Sequence, residues 1–150
     1  MKIINAQVKD AREISRLKKE TIKNINQEYN DKQIKTFTKL FSLKNTRRHI
    51  NERKMFCLVD KGNIIGTVDL KEDRIGGLFV KFNLVGKGYG KKLMSYIEKF
   101  AKKKKLKKVW LYSTPYAEKF YKKLGYKVVE RGTWVCDNVR FSEIKMEKRL

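Results

Sequence analysis

The chain has 150 residues and carries 38 lysines and arginines against 16 aspartates and glutamates, a formal net charge of +22. That length suits one domain with one sizeable core. No stretch approaches the roughly 20 apolar residues needed to span a bilayer, and the start, Met1 to Ala6, has no hydrophobic signal region. A cytoplasmic protein away from membranes is therefore expected. Two cysteines, Cys57 and Cys136, and a single histidine, His49, give no metal-ligand spacing. No metal site is expected, and Cys57, inside an apolar run, reads as a small buried hydrophobe rather than half of a Cys–His pair.

Taken in chain order, residues 2 to 9 read as a first strand with Ile4, Ala6 and Val8 on one face. Asp10 to Glu13 has the form of a capping box, and Ile14, Leu17, Ile22 and Ile25 lay an apolar stripe along the helix after it. A second helix is expected over about 31 to 41, with Ile34, Phe37, Leu40 and Phe41, and Ser42 can cap a third that ends near Arg53. The pattern then changes. Met55 to Val59 is strand-like, Asp60 to Asn63 is a turn, and Ile64 to Leu70 returns as the second strand of a hairpin. After a turn at Lys71 to Asp73, Ile75 to Phe82 forms another strand.

Three glycines succeed that strand at alternate positions, Gly86, Gly88 and Gly90, and an amphipathic helix begins at once, running to about 104 with Leu93, Met94, Ile97, Phe100 and Ala101 on one face. Val109 to Tyr112 is a further strand. The only proline, Pro115, suits the first turn of a helix over about 116 to 124, and Gly125 suits its C-cap. Tyr126 to Trp134 and Val139 to Met146 complete the chain as antiparallel strands. The order predicts a mixed α/β domain with one central sheet.

Strand, glycine turn and helix N-terminus together make an anion site. Glycines permit φ > 0 and close backbone approach, and the N–H groups converge at the positive end of the helix dipole. Three motifs compete for it. The dinucleotide fingerprint needs G-x-G-x-x-G, whereas the spacing here is G-x-G-x-G; the P-loop needs a hydroxyl after Gly-Lys, whereas Lys92 comes after Lys91. A ligand-free glycine turn is the plain alternative. The third motif is the pyrophosphate loop of the GNAT N-acetyltransferases, R/Q-x-x-G-x-G/A, which Val85-Gly86-Lys87-Gly88-Tyr89-Gly90 resembles at both glycines but not at the first position. A second stretch, Tyr112 to Tyr126, resembles that family's N-x-x-A-x-x-F-Y-x-x-L-G-F segment through Ala117, Phe120, Tyr121, Leu124 and Gly125.

The resemblance spans residues 2 to 149 and implies an α/β GNAT fold, a single domain over 1–150, and an opening between the strand ending at Val80 and the strand ending near Ser113. Acetyl-CoA would lie in that opening as co-substrate. The backbone of Leu78, Phe79 and Val80 would hold its pantetheine arm and polarise the thioester carbonyl. The N–H groups of Val85, Gly86, Lys87, Gly88, Tyr89, Gly90 and Lys91 would hold its pyrophosphate. Thr114 would bond the pantetheine, and Tyr121 would face the sulfur as the catalytic phenol, with Phe120 in the core. The family's frequent glutamate base falls on Arg74, which cannot be a base. Asp69, Glu72 and Asp73 are nearby but read singly as exposed hairpin charges, so no base is assigned.

The acceptor expected is a small-molecule or peptide amine, with Tyr29, Gln33, Phe37, Trp134 and Asn138 as wall candidates. Like-charge repulsion from +22 disfavours polycationic acceptors. Of the 38 basic residues 29 are lysine, whereas sequence readers of DNA rely on bidentate arginine, so nucleic acid is disfavoured as partner and the run Lys102 to Lys105 reads as a solvated helix end. A GNAT-like CoA-binding sensor without turnover, or a basic nucleic-acid module, are the rival functions. The last hairpin could extend the sheet across a homodimer.

Overall fold

The computed structural model describes residues 1–25 and 28–150. Seven strands form one sheet in the order β1-β2-β3-β4-β5-β7-β6, from β1 (Lys2–Asn5), β2 (Lys54–Asp60), β3 (Asn63–Lys71), β4 (Arg74–Val80), β5 (Lys108–Ser113), β6 (Lys127–Cys136) and β7 (Val139–Arg149). The helices are α1 (Ala11–Asn24), α2 (Asp31–Leu40), α3 (Leu43–Glu52), α4 (Tyr89–Lys103) and α5 (Glu118–Lys123). Leu93, Met94, Ile97 and Ala101 of α4 bury against Phe56, Leu58, Val68, Ile75, Val109, Leu111, Ile144 and Met146 on one face of the sheet. On the other face Ile14 of α1 packs with Met55, Cys57 and Ile64. No helix among the described residues is long and apolar enough to cross a membrane.

Most of the expected elements form where the sequence places them, and the exceptions have local causes. β1 ends at Asn5 because Val8–Asp10 makes a 3-10 turn. The expected capping box does not close. The Asp10 carboxylate accepts from the Gln7 N–H at 2.8 Å, and Glu13 reaches across to accept from the Ile64 N–H at 2.9 Å, tying α1 to β3. Ser42 does cap α3, accepting from the Asn45 N–H at 3.2 Å. The helix expected from residue 116 begins only at Glu118, after a turn through Pro115. At its end Gly125, with φ +97, lets the Tyr126 N–H reach the Tyr121 carbonyl at 3.1 Å and its own N–H reach that of Lys122 at 3.0 Å, the paired bonds of a Schellman stop.

The feature that positions the site is a fork. All other neighbouring strands are antiparallel, but β4 and β5 run parallel and share a single register pair, Arg74 with Trp110. The Trp110 N–H bonds the Asp73 carbonyl at 3.1 Å and its indole N–H bonds the Asp73 carboxylate at 2.9 Å, so Asp73 pins the closed end. Beyond it β4 stays with β3, across a bulge where Thr67 pairs with Phe79 but Asp69 with Gly76.

Gly77 stands in the bulge with φ +56, and a Cβ there would overlap Oδ2 of Asp69 and lie 3.4 Å from Nζ of Lys18. Asp69 is 1% exposed and Lys18 2%, so Asp69 is no exposed hairpin charge. Its Oδ2 lies 3.4 Å from Arg53 Nη1. A buried carboxylate paired with Arg53, with the Lys18 amine close by, thus lies directly beneath the bulge, and it is stable only while it keeps that partner. Gly77→Ala should therefore lower stability by about 3 kcal/mol, from left-handed backbone strain plus displacement of Asp69. Thermal unfolding checks this: a midpoint drop of roughly 10 °C is expected for a domain of this size.

Candidate active site in the fork between β4 and β5

Backbone groups on β4 beyond Arg74 have no partner in β5 among the described residues, and unpaired buried main-chain groups demand one. Leu78, Phe79 and Val80 line this stretch and are half-buried. The Lys81 N–H bonds the Ile65 carbonyl at 2.9 Å, so by alternation Leu78 and Val80 turn their main-chain groups to the open edge, where the Val80 carbonyl accepts from the Thr21 hydroxyl at 3.4 Å. Leu78 and Val80 pack into the α4-side core, while Phe79 faces α1, its ring 5.2 Å from that of Phe41 with Nζ of Lys18 5.3 Å from its centre.

Val80 leads through a 3-10 turn at Phe82–Leu84 into the glycine loop. Gly86 and Gly88 both take the left-handed conformation, φ +85 and +87, with open space where a Cβ would stand. Gly90 differs: a Cβ there would meet the Phe120 ring at 3.2 Å, so this third glycine serves helix packing. Phe120 is half-buried against it. Gly88 is the N-cap of α4 and offers no capping side chain, so among the described residues the N–H groups of Tyr89, Gly90 and Lys91 are without internal partners, the helical bonds beginning with the Lys92 N–H to the Gly88 carbonyl at 3.1 Å. No acidic residue stands in that first turn, and Lys87, Lys91 and Lys92 are exposed around it. Val85 supplies backbone only; its side chain is exposed.

The opposite wall begins at Thr114, after β5. Its hydroxyl accepts from the Ala117 N–H at 3.2 Å and touches Glu28 and Tyr29. Tyr121 on α5 is buried, edge-on to Phe120 and Tyr126, and burial raises its phenol above the ordinary tyrosine range. Among the described residues its hydroxyl has no hydrogen-bond partner.

On the α1–α2 side, four of the five wall candidates converge. Tyr29 lies 4.9 Å from Phe37, and Phe37 lies 4.7 Å from Phe141 and 6.3 Å from Trp134, ring centre to ring centre. Gln33 donates to the Arg140 carbonyl at 2.9 Å, binding α2 to β7. Asn138 does not join them. It is exposed in the β6–β7 turn, where it and Asp137 both have positive φ, as a two-residue hairpin turn requires.

Sequence reasoning missed Lys18, Arg53 and Glu28. Lys18 falls in phase with the apolar positions Ile14, Leu17 and Ile22, the one available sign of its burial; desolvation lowers its amine below the ordinary range, against the attraction of Asp69. Burial pushes the Cys57 thiol up to about 12. Desolvation, with Arg53, Lys18, Arg48 and Lys71, pushes His49 down to about 4. Neither group is charged near neutrality, so they form no thiolate–imidazolium pair.

A family model described as an acetyltransferase (GNAT) domain matches residues 25–150. The chain therefore belongs to the GNAT acetyltransferase family. Among solved structures, a GCN5-related N-acetyltransferase from Rhodopseudomonas palustris superposes with a TM-score of 0.94 at 20% identity, over 99% of this chain and 95% of that one. The PaiA N-acetyltransferase of Thermoplasma acidophilum, solved in complex with coenzyme A, gives 0.81 at 22% identity over 100% of both chains. An aminoglycoside 6′-N-acetyltransferase complexed with coenzyme A gives 0.66 at 18% identity, over 99% and 97%. No curated protein matches the sequence. At such identities the likeness is one of fold.

The loop generates a direct test. Gly88→Trp places a large side chain in open space at the N-cap, at a folding cost of roughly 1 kcal/mol for the positive φ. Calorimetry with coenzyme A should show affinity reduced by about 100-fold or more, while thermal unfolding shows a folded domain.

Proposed function

We propose that the protein is an acetyl-CoA-dependent N-acetyltransferase that passes the acetyl group to a primary amine by direct attack in a ternary complex. The observation that carries this is the fork. A free strand edge of half-buried backbone at Leu78, Phe79 and Val80 leads within a few residues to an uncapped helix N-terminus ringed by lysines. An amide-bearing arm ending in a pyrophosphate has the complementary chemistry: the arm bonds like an added strand, and the phosphates meet converging N–H groups. The coenzyme A bound to two relatives of the same fold supports the same reading.

The residues supply three effects. N–H donors of β4 fix the thioester carbonyl and stabilise the oxyanion that develops as nitrogen attacks carbon. The two walls hold amine and thioester together, turning a bimolecular encounter into a local one. Tyr121, kept neutral by burial, donates a hydrogen bond to the sulfur as the carbon–sulfur bond breaks. Because its pKa is raised, complete transfer of its proton to a thiolate of ordinary pKa about 8.5 is uphill. The phenol therefore stabilises the leaving thiolate, and the proton that ends on sulfur comes ultimately from the amine.

Tyr121→Phe should accordingly lower kcat by about ten- to a hundredfold and leave acetyl-CoA affinity within about threefold. Steady-state release of CoA thiol, paired with calorimetry, separates the two quantities. Unchanged kcat would remove Tyr121 from the chemistry. Binding of acetyl-CoA without transfer to any amine would favour a CoA sensor instead.

A further inference from the structure

The proposed reaction leaves one need unmet: an amine of pKa about 10.4 is almost wholly protonated at neutral pH, and the position of the family's usual glutamate holds Arg74. We infer that Glu28, on the α1–α2 connection, is the general base and the anchor for the acceptor's ammonium group, and that the acceptor is a small primary amine carried on an aromatic body. The inference rests on the acetyl-transfer reading above and names its missing group and its substrate class.

Position is the first argument. Glu28 Oε1 accepts from the Tyr116 N–H at 3.3 Å, and the Thr114 hydroxyl lies beside the same carboxylate. Glu28 therefore sits at the open end of β5, beside the wall assigned to the arm. The second argument is an unused oxygen: among the described residues Oε2 is buried with no hydrogen-bond partner. A buried carboxylate oxygen without a donor is costly, and an arriving ammonium N–H would satisfy it. The groups that face Glu28 are neutral, Thr114 and Tyr116 from beyond β5 and Tyr29 from its own loop, so among the described residues no lysine or arginine balances it. Burial accordingly holds its carboxyl above the ordinary range, toward the proton affinity a base needs. Glu143, also raised by burial, faces Arg74 and Glu130 and is already balanced by a cation.

The aromatic body is argued from the surface that adjoins Glu28. Tyr29 opens a continuous run of rings through Phe37 to Phe41 and Phe79 on one side and to Phe141 and Trp134 on the other. It is the main apolar surface reaching the reacting strand from the α2 side. One carboxylate beside such a wall selects one ammonium on a ring.

In the step itself the ammonium gives one proton to Glu28, which passes it to solvent, and the freed lone pair attacks the thioester carbon. As the carbon–sulfur bond breaks, the second proton leaves nitrogen through Glu28 and ends on the thiolate sulfur. Ammonium and acetyl-CoA become amide, CoA thiol and one released proton.

The test uses acetyl-CoA with 2-phenylethylamine and tryptamine, against n-butylamine and spermidine, monitoring CoA thiol from pH 5.5 to 9.5 in wild type, Glu28→Gln and Glu28→Asp. Expected are a preference for the ring amines and a wild-type kcat/KM that rises at the acid end and then levels. Glu28→Gln should be about 100-fold slower at pH 7, and its rate should climb about tenfold per pH unit, because only the free amine then reacts. Glu28→Asp should restore the level region in part. Acetyl-CoA affinity should stay within about threefold in both variants, which shows them folded. A Glu28→Gln enzyme with wild-type rate and profile overturns the inference, as does transfer that ignores the ring. No transfer to the ring amines while acetyl-CoA still binds overturns it too and leaves the cofactor reading standing. Absence of acetyl-CoA binding by the wild type overturns both.

Discussion

β4 cannot satisfy both of its edges, and the site exists because of that. A strand within a sheet has donors and acceptors on both sides. β4 spends one side on β3 and, after the single pair Arg74–Trp110, has no further strand partner among the described residues on the other. The departure is built in at two points. Asp73 fastens the closed end through both its carbonyl and its carboxylate to Trp110, and the bulge at Gly77 re-aims the remainder of the strand. The bulge requires a residue without Cβ, because the space beneath it is filled by Asp69, itself paired with half-buried Arg53 and close to buried Lys18. Opening one edge of one strand thus rests on a charged cluster on the far side of β3, supplied by α1 and by the chain just after α3.

The same arrangement sets the electrostatics. Few carboxylates are available against a net charge of +22, and several are committed: Glu98 to Lys148 and Tyr126, Glu118 to Arg131 and Lys122, Asp69 to Arg53. The glycine loop is left with cations alone around its free N–H groups. An anionic co-substrate is therefore favoured by the general field and by the local dipole. A cationic acceptor meets the opposite problem, since the general field repels it. Only a carboxylate not already balanced by lysine or arginine, close to the fork, can hold it there.

How much of this is legible in the sequence depends on the range of each interaction. The glycine loop and the Gly125 stop are readable because each is closed by residues within one turn of the chain. The same is true of the Ser42 cap and the hairpins. The capping box at Asp10–Glu13 fails because Glu13 has a better partner 51 residues away, the Ile64 N–H. Asp69 reads as an exposed turn charge because it lies near the end of a strand; nothing local reveals that α1 covers it. Lys18 is hidden by the habit of treating lysine as solvent-facing, although its phase in α1 matches the apolar stripe. Glu28 cannot be read at all: its meaning comes from Thr114 and Tyr116, which the fold alone brings to it.

Burial raises both Tyr121 and Glu28 above their ordinary ranges, and the two shifts have opposite consequences. Tyrosine begins near 10, so an upward shift removes it from titration altogether and leaves a permanent hydroxyl donor. A carboxyl begins near 4.3, so an upward shift moves it toward neutrality, where it can still be ionised at rest yet bind a proton more readily. In the proposed reaction burial thereby leaves a fixed donor on α5 and a proton acceptor on the α1–α2 connection. Attack of an amine on a thioester asks for that asymmetry, since a proton must leave nitrogen on one side while negative charge gathers on sulfur at the other.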